Sequence, residues 1–337
     1  MVWNGRKPDQ QGSALGAVTR PVAPMITPHP PAARRDPVAW ELAPLPPDGD
    51  PAAARRFCRA VAAGHYENFT VATMLVPQRL RQHLANVYTF ARWADDLADE
   101  AASPEAAAAA LADWRRGLEA CFAGRPGHPV YVALAETVRD RGLAIEPFAD
   151  LIDAFEQDQV KTRYATRAEL LEYCRRSADP VGRIVLALEG CRDPELVRMS
   201  DSICTGLQLV NFWQDITRDR LAGRIYLPQA DMDRHGVDEP LLARPRASAE
   251  VRALVQDVVA WARECFAAGS RLPALAPPVL RPAITMFVAG GRAVADAIQA
   301  ADYDTLFRRP TVGRITKLRL AGRALVAAAA SRLGGRS

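Results

Sequence analysis

No stretch of this chain alternates apolar and polar residues for long enough to make a convincing β-strand, and no internal repeat is present. Sheet and solenoid architectures fall away on that ground. Aromatic residues are sparse, at 7%, and long alanine runs take their place, which favours helices. The six cysteines (Cys58, Cys121, Cys174, Cys191, Cys204 and Cys265) lie far apart with no Cys-x-x-Cys pair. That spacing argues against a disulfide scaffold and fits small apolar core thiols in a reducing cytoplasm. No apolar run is long enough to cross a membrane, since the best candidate, residues 278–290, is broken by Arg281 and two prolines. If the protein meets a membrane, it does so at the surface, as a peripheral contact. Charge of one sign is also missing in bulk: 43 basic residues stand against 39 acidic ones, a net +4, and the basic ones are scattered. No nucleic-acid partner is expected from such a balance. Gly290-Gly291-Arg292 lacks the strand and spacing of a dinucleotide loop, so no NADPH site is read there.

What is present is helix after helix. Residues 1–50 are rich in proline, glycine and charge without hydrophobic periodicity, and read as a disordered or loosely attached tail. Asp9 and Asp36 speak against a transit peptide. Residues 51–337 read as one all-α domain, a single helical bundle with a central cavity. Pro51 opens a helix to about Gly64, Pro77 starts a long one, and Ser103-Pro104 caps the next. Pro147 lies in the first turn of a helix expected to reach about Tyr164. Thr166 with Glu169 forms a capping box, and Asp179-Pro180 and Asp193-Pro194 open two more. After the Gly and Pro of residues 220–228, helices resume over 248–270, 278–301 and 311–332.

Two of these helices carry acidic rails. Tyr88, Arg92, Asp95, Asp96 and Asp99 rise along one face at steps of three and four, and so do Gln208, Asn211, Asp215 and Asp219. A lone Asp-Asp-x-x-Asp is more often a solvated helix face. Here the second rail interrupts an otherwise apolar helix (Leu207, Leu209, Val210, Phe212, Trp213, Ile216), so its polar stripe must face a partner or a wet cavity. Two carboxylate rails across one cavity repel unless cations intervene. Hard oxygen ligands without a His/Cys cluster point to Mg²⁺, which completes its shell with water and phosphate and so implies a diphosphate substrate. Arg92, and with it Arg218, Arg224 or Lys161, can pair with phosphate oxygens. At helical spacing Phe90, Phe212 and Trp213 read as core, His65 and His83 as structural, and Tyr173 as either a core tyrosine or a hydroxyl at the reacting carbons.

Three ordered motifs resemble the squalene and phytoene synthase family over about residues 55–320. They are Tyr88 with Arg92-Trp-Ala-Asp95-Asp96-Leu-Ala-Asp99, Tyr173-Cys174 followed by Val181-Gly182, and Gln208-x-x-Asn211-x-x-x-Asp215-x-x-x-Asp219 followed by Gly223-Arg-Ile-Tyr-Leu-Pro228. The resemblance implies an isoprenoid synthase fold, Mg²⁺ and a prenyl diphosphate substrate. Carried over by position, it implies that Asp95, Asp96, Asp99, Asp215 and Asp219 hold metal, with Asp95 and Asp219 central to catalysis. It further implies that Phe69, Tyr88, Arg92, Gln208, Asn211 and Gln214 contact substrate and that Tyr173 is the catalytic tyrosine. Two departures narrow it: His65-Tyr-Glu-Asn-Phe69 replaces the His-Ser-x-Ser-Phe of the head-to-head condensing members, and Gln214 stands where they carry arginine. Both are similar to the bacterial hydroxysqualene synthase of the hopanoid route. That likeness implies presqualene diphosphate as substrate, water as the final nucleophile, and an enzyme that makes presqualene diphosphate and hands it over. The alternatives are the sister activities, namely presqualene diphosphate, squalene or phytoene synthesis by head-to-head prenyl transfer, and a non-catalytic helical partner protein. A class I terpene cyclase fits less well, because residues 211–219 lack its Asn/Asp-Ser/Thr-Glu pattern.

Overall fold

The computed structural model describes residues 46, 49–65, 75–313 and 322. Phe69, nearly all of the N-terminal tail and nearly all of the helix expected over 311–332 lie outside the described residues. Among the described residues the chain is helical without strands, as its periodicity implies. In chain order the helices are α1 (Pro51–His65), α2 (Gln78–Asp99), α3 (Pro104–Phe122), α4 (Pro129–Arg141), α5 (Glu146–Asp158), α6 (Arg167–Ser177) and α7 (Asp179–Ala187). There follow α8 (Pro194–Leu221), the short α9 (Gln229–Arg234) and α10 (Glu239–Leu242), α11 (Ala249–Ala268), the short α12 (Leu272–Leu275) and α13 (Arg281–Ala300).

Most starts follow from local chemistry. Ser103, Thr166 and Asp193 each accept hydrogen bonds from backbone N–H groups of the first turn, and proline follows at the head of α3 and α8. Glu169 completes the box at α6 by accepting from the Ala165 N–H. Pro77 is the residue before α2, one position outside the helix it was expected to begin. One end differs more: α5 stops at Asp158 and not near Tyr164. The carbonyls of Thr162, Tyr164 and Ala165 instead accept from the N–H groups of Ile225, Gln229 and Ala230 at 2.8–3.0 Å, so a tertiary pairing holds residues 162–165 off the helical path.

Two cores result. One gathers Phe90, Trp114, Leu118, Tyr131 and Phe148 between α2, α3, α4 and α5. The other surrounds α8, where Phe212, Trp213, Tyr226, Val255, Val258 and Phe266 are buried among α6, α11 and α13. Phe90, Phe212 and Trp213 are therefore core residues, and His83 is structural, bonded to Thr137 Oγ1 at 3.1 Å. The cysteines are all free, three of them buried. α2 packs on α1, α3, α4 and α5, whereas α8 packs on α6, α7, α11 and α13. The α5–α6 hairpin joins the halves, because α5 touches α2 and α3 while α6 touches α8. No helix among the described residues is long and apolar enough to cross a membrane.

Candidate active site

On α2, Asp95 and Asp96 are buried, and Asp99 is half-buried at the helix end. Arg92 donates from Nη1 to Asp95 Oδ2 at 3.0 Å and from Nη2 to Asp96 Oδ1. Burial alone would lower the pKa of Arg92, but Asp95 and Asp96 outweigh it, so the guanidinium stays charged. Tyr88 lies one turn earlier, also buried.

The α8 rail is less regular than its spacing implies. The backbone leaves helical geometry at Asp215, with φ −109° and ψ 15°. At that kink the segment after α13 crosses the helix. Arg309 grips Asp215 with both nitrogens, Nε to Oδ1 at 2.6 Å and Nη2 to Oδ2 at 2.8 Å. Thr217 Oγ1 donates to the Leu306 carbonyl at 3.2 Å, and Gln214 Nε2 donates to the Pro310 carbonyl. Gln214 was expected at the substrate; its amide instead ties down this crossing segment. Six residues on from Gln208, it points about a third of a turn away from the rail. Asn211 Nδ2 turns back on its own helix, donating to the Leu207 carbonyl at 2.6 Å. Gln208 faces a pocket, and Asp219 is buried.

Burial, and then the neighbouring Asp215 charge, push the Asp219 carboxyl well above the usual carboxylate range, against the pull of Arg224 and Arg218. Asp158 behaves alike. Burial raises it to about 7, Asp99 adds to the rise, and Arg224 and the Tyr173 hydroxyl oppose it. Arg224, kept charged against its own burial by Tyr226, Asp158 and Asp99, thus stands in one electrostatic field with acids from both rails. Asp99 of α2 and Asp219 of α8 accordingly address one region, around Arg224.

Tyr173 sits at that region's floor. Its hydroxyl donates to Asp158 Oδ2 at 2.7 Å, and burial followed by the Asp158 charge raises its pKa well above the ordinary phenol value, so it stays protonated. Around it Tyr164, Phe212 and Tyr226 make an aromatic wall, with Phe212 and Tyr226 stacked at 3.8 Å and 11°. A pocket opens here between Leu151, Ala154, Phe155, Asp158, Tyr173, Ser177 and Gln208.

Asp158 was not singled out from sequence, and Tyr226 entered only within the motif at residues 223–228. Arg309 belongs to an arginine-rich stretch, residues 308–314, that by sequence either closes over a diphosphate or sits in water. For Asp158 a signal existed: it continues the apolar stripe of Leu151 and Phe155 at i+7 and i+3, in the last turn of α5, where the helix dipole disfavours an acid. An acid on an apolar stripe needs a partner, and Tyr173 is that partner.

The sequence pattern of the squalene/phytoene synthase family matches residues 62–316. A phytoene synthase of Arthrospira platensis is 31% identical across 76% of this chain and 87% of its own. The crystal structure of squalene synthase HpnC from Alicyclobacillus acidocaldarius superposes with a TM-score of 0.73 at 40% identity, covering 79% of this chain and 98% of that one. A dehydrosqualene synthase in complex with ligand superposes with a TM-score of 0.74 at 26% identity, over 82% and 98%. By sequence pattern and by fold alike, the chain belongs to the squalene/phytoene synthase family of isoprenoid synthases.

Proposed function

We propose that this chain is a hydroxysqualene synthase, a carbon–oxygen lyase that takes presqualene diphosphate to hydroxysqualene and diphosphate. The observation that carries the reading is the pair of acidic rails meeting in one field beside a hydroxyl-lined pocket. Among the described residues no three acidic, His or Cys side chains are gathered tightly enough to hold a metal by themselves. Mg²⁺ needs only one or two carboxylates and takes the rest of its shell from phosphate and water, so the donor set fits an ion that arrives with the substrate. Asp95, Asp96 and Asp99 would hold it on one side, and Asp215 and Asp219 on the other. Bound there, it supplies Lewis-acid stabilisation of the departing diphosphate.

The chain's own residues account for the rest. Arg92 and Arg309, now paired with carboxylates, are placed to turn to phosphate oxygens when the acids are otherwise engaged. Tyr173, backed by the stacked Tyr226 and Phe212, offers its ring to a carbocation, and the three together exclude bulk water. Gln214 stands where condensing members carry arginine; uncharged and bonded to the Pro310 carbonyl, it supplies no cation for a second diphosphate, which favours a substrate with a single one. The likeness to a squalene synthase at 40% identity and to a phytoene synthase at 31% keeps head-to-head prenyl transfer as the second reading.

Purified chain with Mg²⁺ is expected to convert presqualene diphosphate to hydroxysqualene and to leave farnesyl diphosphate alone unchanged. Turnover of farnesyl diphosphate would move the assignment to the condensing branch. Asp95→Asn and Asp219→Asn should each lower product formation by roughly a hundredfold or more. Product unaffected by both would leave a non-catalytic helical partner as the reading.

A further inference from the structure

Four polar residues bound the pocket at the floor of the site, and three of them leave a buried polar atom without a hydrogen-bond partner among the described residues. These atoms are Asp158 Oδ1, Ser177 Oγ and Gln208 Nε2, all on residues with no more than 6% of their surface exposed. Each unpartnered atom costs roughly 1–3 kcal/mol, so three around one pocket call for an occupant that can satisfy them. The set is mixed. Gln208 Nε2 donates, Asp158 Oδ1 accepts, and the Ser177 hydroxyl does either, which matches the bonding capacity of a single water molecule. Tyr173, by donating to Asp158 Oδ2 at 2.7 Å, fixes the carboxyl and keeps Oδ1 available. Leu151, Ala154 and Phe155 close the remaining walls and leave few other nucleophiles nearby.

We propose that this pocket seats the water that ends the reaction, held by Asp158, Ser177 and Gln208 and delivered to the rearranged prenyl carbocation. The inference rests on the hydroxysqualene reading above. A lone pair on the water oxygen forms the new C–O bond, one O–H bond breaks, and its proton passes to the Asp158 carboxylate. The electron pair of the original C–O bond has already left with the diphosphate, so charge balances. The Asp158 carboxyl, raised to about 7 by burial against the pull of Arg224 and Tyr173, is matched to accept that proton near neutral pH. Tyr173 acts as its positioning residue in this step.

The test is turnover of presqualene diphosphate by the whole chain in H₂¹⁸O, scoring labelled alcohol as a share of the diphosphate released. Wild type should place the label in hydroxysqualene. Ser177→Ala and Asp158→Asn should cut the alcohol share by roughly tenfold or more, in favour of hydrocarbons formed by proton loss, whatever their total rate. Should Asp158→Asn fail to fold, Ser177→Ala decides alone. A crystal structure of the wild-type chain should also show one water within hydrogen-bond reach of all three atoms. Alcohol from wild type with an unchanged share in the variants overturns the water seat and leaves the reading standing. Diphosphate release by wild type with no alcohol overturns both.

Discussion

Arg309 and Asp215 form a two-pronged ion pair whose side chains are 16% and 12% exposed. Such a pair is strong because both carboxylate oxygens are engaged and little water competes. It also occupies a carboxylate that the proposed mechanism needs for metal. Metal and Arg309 are therefore competitors for Asp215 until a diphosphate gives the guanidinium a new anion. Arg309→Ala should raise affinity for Mn²⁺ alone by roughly tenfold, about 1.4 kcal/mol, and lower affinity for inorganic pyrophosphate in the presence of Mn²⁺. Electron paramagnetic resonance reads the first and calorimetry the second; equal Mn²⁺ affinity in both proteins would dismiss the competition. The acids of the two rails were legible in the sequence because a carboxylate stripe on an apolar helix has few physical explanations. The pairing of Arg309 with Asp215 was not, since 94 residues separate them and the crossing of α8 brings them together. The Gln214 contact was hidden for a related reason: its neighbour in sequence is a ligand candidate, while its amide answers to Pro310, 96 residues on.

At the scale of elements, most helix bounds were readable, and the end of α5 was not. A cap is a contact within four residues, whereas residues 162–165 leave the helical path to pair with residues 225–230, a contact remote in sequence. The kink at Asp215 has the same origin in a segment remote in sequence. The pairing of α8 with α13 turns on one glycine of two. A Cβ on Gly291 would lie 2.5 Å from Phe266 Cζ and 2.7 Å from Leu207 Cδ2, while one on Gly290 meets nothing within 4 Å. Gly290-Gly291 is thus not a phosphate loop; its second member lets α13 close on α8 and α11. Gly291→Ala should cost roughly 1–3 kcal/mol through overpacking, read as a lowered urea midpoint, and Phe266→Leu in the same chain should recover part of it. Gly290→Ala should be neutral or stabilising by about 0.5–1 kcal/mol, since alanine is the better helix former. Equal effects at both glycines would show that the close approach does not limit packing here.

At the scale of the whole molecule, three buried carboxylates stand out among the described residues. Asp158 is raised to about 7, Asp179 to about 8, and Asp219 well above the usual range, in each case by burial first. Each is a group whose folded pKa exceeds its unfolded one, so the folded chain keeps a proton that the unfolded chain has lost once pH passes about 4. Their contribution to stability is complete below that value and is withdrawn as pH rises toward 7 and 8. The chain should therefore be more stable at pH 6 than at pH 8.5, the reverse of a protein held by salt-bridged acids. Asp179 isolates the effect, because it lies outside the candidate site. Its Oδ1 accepts from Thr205 Oγ1 at 2.9 Å, the Asp201 charge reinforces burial, and Arg183 and Arg175 only partly oppose them. Asparagine keeps that acceptor without a proton to lose. Asp179→Asn should consequently flatten the decline in stability between pH 6 and 8.5 by on the order of 2 kcal/mol, at ~1.4 kcal/mol for each pH unit over which the folded state alone stays protonated. Urea unfolding of both proteins across that range measures it. If wild type is no less stable at pH 8.5, or if the variant declines just as steeply, the burial of Asp179 is not the source of the pH dependence.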